Sequence, residues 1–280
     1  MNKYAIFTMD VEDFSDIYCL RKRKKQTFPS MMDGLENYLA LLEKYDIKAD
    51  LFVLADRLKK DEVYLRDAVK RGHTIALHGY SHELPSNETI DVFKQHTIEA
   101  KTLLEKTFNV TIQGFRAPGF SLRQDEADLL PKLGFHYDCS EQDYKLTTYG
   151  ADLDTTTYQE VYENVLAKDG FYEVKMPKSI GHPLHGMPIG GGGYLRMPPY
   201  HFVKRVIAKT VAKKNLYVFY CHPFECSKLK TPYVGPLGPL NTLYLNRRKN
   251  YLKHIEDIIQ LLQKEGYTFV TYEELLAKIA

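Results

Sequence analysis

The chain has little cysteine, no long apolar run and almost no net charge, and each shortage removes a class of protein. Four cysteines in 280 residues, Cys19, Cys139, Cys221 and Cys226, are too sparse for a disulfide scaffold and contain no CxxC pair. A reducing cytoplasm is the simplest compartment for them. No stretch approaches the roughly 18 apolar residues that a membrane-spanning helix needs. The N-terminus, MNKYAIFTMD, enters a strand-like segment without the apolar region and small-residue cleavage site of a secretory signal. A formal charge of +2 and a pI near 8.1 are too close to balance to argue for nucleic acid, which usually needs a concentrated basic face, so nucleic acid is not expected as a partner. One short basic run, Arg21–Lys25, reads first as a solvated loop and second as a peripheral contact for the cytoplasmic membrane surface.

What is present points to one large domain. No repeat, low-complexity tract or linker interrupts residues 1–280, and 44% hydrophobic residues suffice for a sizeable core. Short apolar runs predict buried strands at 4–9, 49–54, 74–77, 114–116, 135–139, 172–175, 217–221 and 268–270. Helical spacing predicts helices at 31–45, 62–70, 89–108, 124–133, 201–213 and 249–264, the last with Leu252, Ile255, Ile259 and Leu262 on one face. Strand and helix alternate, which favours a parallel α/β sheet, doubly wound or closed into a barrel. Two stretches, 140–170 and 177–199, are expected to be long loops. The second contains Gly190–Gly193, which lacks the Lys-Ser/Thr of a phosphate loop and is expected instead to shape a substrate cleft.

Four strand ends carry chemistry. Asp10, Glu12 and Asp13 crowd three carboxylates after the first run, an arrangement suited to a cation and otherwise to a solvated turn. His78 and His82 follow the third run; imidazoles four apart converge on one ion if the segment makes a helical turn. Two imidazoles and a carboxylate leave open positions for water, the mark of a catalytic metal site. Arg116 would hold a nearby carboxylate ionised, and the run at 218–221 delivers His222 to a strand end. In a parallel sheet these carboxyl ends share one face.

With these segments in order, the sequence resembles the NodB-homology polysaccharide deacetylases, carbohydrate esterase family four. The motifs are DVED at 10–13, HGYSH at 78–82, RAPG at 116–119 and YCH at 220–222. Together with FRAPGFS, GGGGYLRMPPY and YCHPFE they resemble the branch associated with bacterial exopolysaccharide synthesis. The resemblance implies a distorted, partly open (β/α) barrel of about seven parallel strands. It also implies a divalent ion, often zinc, that serves hydrolysis of N-acetyl groups on an amino-sugar polymer or its oligosaccharide or lipid-linked precursor. By position, Asp10 would be the general base, His222 the general acid, Arg116 the partner of Asp10, and Asp138 a supporting acid. His78, His82 and either Glu12 or Asp13 would hold the metal. Pro118, Tyr194 and Arg196 are expected to meet the N-acetylated glycan. The family's two neighbouring aspartates are separated here by Val11 and Glu12, and its hydroxyl residue after the first histidine is Gly79. Competing readings are a hydrolase of small non-sugar amides on the same fold and a glycan-binding protein without catalysis.

Overall fold

A computed structural model describes residues 2–17, 19–20, 28–142, 153–180, 186 and 188–279; the basic run Arg21–Lys25 lies outside them. In chain order the elements are β1 (Lys3–Val11), α1 (Asp33–Glu43), β2 (Ala49–Val53), α2 (Leu58–Lys70), β3 (Thr74–Leu77), α3 (Ile90–Phe108), β4 (Gly114–Phe115), α4 (Gln124–Ala127) and β5 (Tyr137–Asp138). There follow β6 (Gln159–Tyr162), β7 (Val165–Lys168), β8 (Phe171–Val174), α5 (Gly192–Arg196), α6 (Tyr200–Val211), β9 (Leu216–Cys221), α7 (Pro223–Cys226), α8 (Pro239–Asn246), α9 (Tyr251–Lys264), β10 (Tyr267–Phe269) and α10 (Tyr272–Ile279). No described helix is long and apolar enough to cross a membrane.

One sheet organises both halves of the chain. Its order is β10-β1-β2-β3-β4-β5-β8-β7-β6, with β9 on the free side of β1. All pairings are parallel except those of β7, which runs antiparallel to β6 and β8. β1 is paired along its edges by β2, β9 and the short β10 and is covered on both faces, Phe7 in the outer core and Ile6 in the inner one, which explains an apolar run without polar alternation. The outer face, with Phe7, Leu51, Leu77, Phe115 and Phe219, packs against helices; Ile255, Ile259 and Leu262 of α9 join it. Burying each such side chain stabilises by about 1.5–3 kcal/mol.

The inner face is that of a distorted, open barrel. Ile6, Phe52, Ala76, Tyr137 and Val218 point inward and meet Tyr272, Leu275 and Leu276 of α10, which fills one end. The gap beyond β9 is bridged without a full strand: Pro188 pairs with Lys178, and Gly191 pairs with Tyr220 of β9. A Cβ at Gly191, where φ is +115°, would lie 2.2 Å from the Tyr220 carbonyl oxygen, so the glycine run exists for this backbone contact.

Several expectations need correction, and the loop expected at 177–199 is one, since it carries the short α5. The loop expected at 140–170 contains the β6–β7 hairpin, in which Asn164 takes a left-handed φ of 61° at the turn. The helix expected over 124–133 is one α-turn, because Pro131 starts a separate 3-10 turn at 131–133. α10 closes the chain where no helix was expected.

Candidate active site

Alternation along each strand decides which side chains reach the open end of the barrel. Tyr4 and Ile6 point inward on β1, so Thr8 and Asp10 do too; the same parity brings His78 after β3, Arg116 after β4 and His222 after β9 to the inner rim.

Arg116 is fully buried, and its Nη1 donates to Asp10 Oδ1 at 2.6 Å and to Thr8 Oγ1 at 2.9 Å. Its Nη2 donates to the Tyr272 hydroxyl at 3.1 Å, and its guanidinium lies 3.9 Å from the Phe52 ring centroid. Burial works against the Arg116 charge, but Asp10 outweighs it and keeps the group protonated.

Glu12 Oε1 stands 2.9 Å from His78 Nε2 and 2.8 Å from His82 Nε2. His78 Nδ1 faces the Arg116 carbonyl oxygen at 2.8 Å and must carry a proton to bond it. In the neutral ring, Nε2 then has only a lone pair to turn towards the carboxylate. Two acceptors so close repel unless positive charge lies between them, by protonation or by a cation. The donor set, two imidazole nitrogens and one carboxylate oxygen within 4.8 Å of one another, fits a divalent ion of zinc type. Burial pushes the Glu12 carboxyl up, but His82 and His78 overcome it and hold Glu12 well below the usual carboxylate range.

The two histidines do not meet through a helical turn. Residues 78–83 form a bend pinned to the end of β2, with the Ala55 and Asp56 amides donating to the carbonyls of Gly79 and Tyr80. Gly79 adopts φ +102°, and a Cβ there would press on the Pro118 ring at 3.3 Å, so the turn itself calls for glycine in place of a hydroxyl residue.

Asp13 is turned away from the imidazoles. Its Oδ1 accepts from the Phe14 and Met31 amides and its Oδ2 from Arg57 Nη2 at 3.1 Å. Arg57 also binds Asp16 and Asp61, which ties the acidic loop to α2. Glu12, not Asp13, stands with His78 and His82.

His222 lies opposite, within 4.8 Å of the Asp10 and Glu12 oxygens. Its Nδ1 bonds Glu225 Oε2 at 3.1 Å, leaving Nε2 for the cleft, and Glu225 Oε1 accepts from Arg196 Nε at 2.6 Å. Burial disfavours the His222 charge, yet the bond to Glu225 and the charges of Glu12, Glu225 and Asp10 push its pKa up to about 9. A cation beside Glu12 would draw that value back. Burial raises Glu225, but Arg196 and His222 outweigh it and hold the carboxyl at about 2. Glu225 is the residue that the motif reading passed over. Its signal was an acid three residues after His222 at a helix start, a capping-box spacing.

Three other positions, Asp138, Arg196 and Pro118, differ from expectation. Asp138 points to the outer side of β5, where its Oδ1 accepts from Ser140 Oγ at 2.8 Å; that hydroxyl in turn accepts from the Ala117 amide at 2.8 Å. Asp138 lies beside buried Glu173 across the β5–β8 pairing, and burial first of all raises both carboxyls. It braces the 116–119 loop from behind. Arg196 is buried behind His222 between Phe224 and Tyr244 and does not line the cleft.

A cavity of about 510 Å³ opens over these groups. Asp10, Glu12, His82 and His222 line its polar end; Phe120, Tyr194, Met197, Tyr220, Phe224 and Tyr244 give an apolar wall. Tyr194 is on that wall. Pro118 is not; it packs beneath Gly79.

Residues 23–137 match the family model described as polysaccharide deacetylase, and residues 154–276 match one described as a domain of unknown function. A peptidoglycan deacetylase of Helicobacter pylori is 25% identical over 245 residues, covering 86% of this chain and 82% of that protein. Solved structures share the fold. One described as a polysaccharide deacetylase from Mycobacterium smegmatis has a TM-score of 0.65 at 14% identity, over 100% of this chain and 91% of that one. A family 4 acetyl xylan esterase from Clostridium thermocellum, in complex with a cobalt ion, has a TM-score of 0.55 at 14% identity, over 98% and 91%.

Proposed function

We propose, from the match of residues 23–137 to the polysaccharide deacetylase model, that the whole chain acts as one metal-dependent carbohydrate N-deacetylase. Its substrate in this reading is an amino-sugar polymer of the exopolysaccharide kind, or the oligosaccharide or lipid-linked precursor of one. The observation that carries the reading is the convergence of Glu12, His78 and His82 beside the Asp10–Arg116 pair and His222. That residues from both ends of the chain form one cleft supports a single catalytic unit over 1–280.

Glu12, His78 and His82 would hold the ion, zinc in our reading, and when bound it supplies Lewis acidity at the acyl oxygen. Asp10 takes the proton of the attacking water, with Arg116 keeping the carboxylate ionised and aimed. His222 in its protonated form gives its proton to the departing sugar amine, and Glu225 with Arg196 fixes which nitrogen faces the cleft. The aromatic wall excludes water and offers flat faces to a sugar ring. The reaction belongs in the cytoplasm in this account, in keeping with the sparse cysteines, and contact with the cytoplasmic membrane surface follows where the precursor is lipid-linked.

The test is acetate release from N-acetylated hexosamine oligosaccharides by protein loaded with zinc, stripped with chelator, and reloaded. Activity lost on stripping and regained on reloading is expected. Metal-loaded protein that binds the oligosaccharides without releasing acetate would replace catalysis by glycan binding; release from small acetamides alone would replace the sugar.

A further inference from the structure

Residues 227–249 run along the mouth of the cleft and differ in make-up from the rest of the surface. α8 presents two stripes: Asn241 and Tyr244 line the cleft, whereas Leu240 and Leu243 face solvent at 74% and 41% exposure. In the preceding loop Leu229 is 50% and Tyr233 88% exposed. Among the described residues no other stretch of this length gathers as many exposed large apolar side chains. Val234 and Leu245 are buried with Phe14 and Phe224, so the segment is anchored on its other side.

Its charge has one sign. From Ser227 to Ile255 the chain carries Lys228, Lys230, Arg247, Arg248, Lys249 and Lys253 and neither Asp nor Glu. Lys228, Lys230, Arg247 and Lys249 are exposed. Arg248 instead donates to the carbonyls of Phe224, Ser227 and Leu229 and staples the loop to the helix. Asp33 touches the segment but is occupied by Ser227 Oγ at 2.6 Å and the Lys228 amide at 3.0 Å.

Exposed aliphatic and aromatic tips ringed by uncompensated cations match an anionic bilayer, whose headgroup boundary takes up the former and whose phosphates attract the latter. A second copy on the same patch would set these cations against one another with no carboxylate to pair them. A neutral glycan would leave the cations unanswered and gain no stacking from leucine. We infer that residues 227–249 form the surface on which the protein seats against an anionic phospholipid membrane, with the cleft mouth beside it. This gives the proposed membrane contact a location, and it is tested without reference to catalysis.

The experiment is co-sedimentation with vesicles of phosphatidylcholine alone and of phosphatidylcholine with phosphatidylglycerol, at low and high salt. The protein is compared with a triple variant, Tyr233→Ser, Leu240→Ser, Leu243→Ser. Binding to the anionic vesicles is expected, weakened by salt and reduced about fivefold or more in the variant. The variant should keep its circular dichroism, its melting temperature and its turnover of a water-soluble acetylated oligosaccharide. No preference for anionic vesicles, or variant binding equal to that of the parent, overturns the proposal. So does a dimer in sedimentation velocity that the variant abolishes while neither protein binds lipid.

Discussion

Replacing Glu12 by Gln is expected to lower metal affinity by more than the roughly 10- to 100-fold that losing an outer hydrogen-bond partner costs, because one of three converging donors disappears. Asp13→Asn should keep the metal, yet it withdraws a carboxylate charge from buried Arg57 at a cost of about 1–3 kcal/mol, seen as a lower melting temperature. Metal analysis and melting of both variants check the pair, and metal loss in the Asp13 variant would reverse the assignment. At His222 the sign is set by the raised pKa: the proton-donating form is lost as pH rises, and with a cation neutralising Glu12 that loss falls below the value of about 9 reached without it. Glu225→Gln removes the charge that helps raise it, so the falling alkaline limb of kcat should move to lower pH. His222→Ala should cost about 100- to 10,000-fold in kcat. A limb unmoved in Glu225→Gln would sever that residue from the acid. Residue types and order made Asp10, His78, His82, Arg116 and His222 legible in the sequence. The choice between Glu12 and Asp13 was not, because it depends on which carboxylate Arg57, some forty residues away, captures.

At the scale of elements, strands that end in chemistry could be read because both their faces are buried and their composition says so. The β6–β7 hairpin was hidden by its exposed positions, and α10 by an alternation argument that stops at β10. Yet its capping box, Thr271 with Glu274, stands in the sequence, and both of its bonds form. His73, just before β3, yields a prediction about pH. Burial first, then Arg71 and Lys48, depresses its pKa from 6.5 to about 4, and its Nδ1 accepts from the Ala49 amide at 3.0 Å. The unfolded chain takes up this proton near pH 6.5 while the folded one refuses it until about 4. Stability present above pH 6.5 is therefore lost as pH falls through that window, by on the order of 3 kcal/mol at most. His73→Asn, which keeps an acceptor for Ala49, should flatten urea-derived stability between pH 7 and pH 4; an unchanged slope would assign the dependence to other groups.

For the whole molecule, the two family matches at 23–137 and 154–276 invite division, whereas the sheet does not. β9 and β10 pair with β1, and β8 pairs with β5, so neither half can bury its edges alone. Denaturant unfolding is expected to be one transition with coincident fluorescence and circular dichroism; two transitions separable by limited proteolysis between 137 and 154 would count against a single unit. The position of β1 also bears on how the chain is made. Tyr4 finds its partner only when Leu216 has been synthesised, which at about 5–20 residues per second is roughly 10–40 s later. Throughout that interval the central strand has one whole edge open, and the nascent chain carries an apolar ribbon that a neighbouring chain on the same message could capture. Yield in the cell should thus be governed by translation speed and chaperone supply as much as by the stability of the finished sheet.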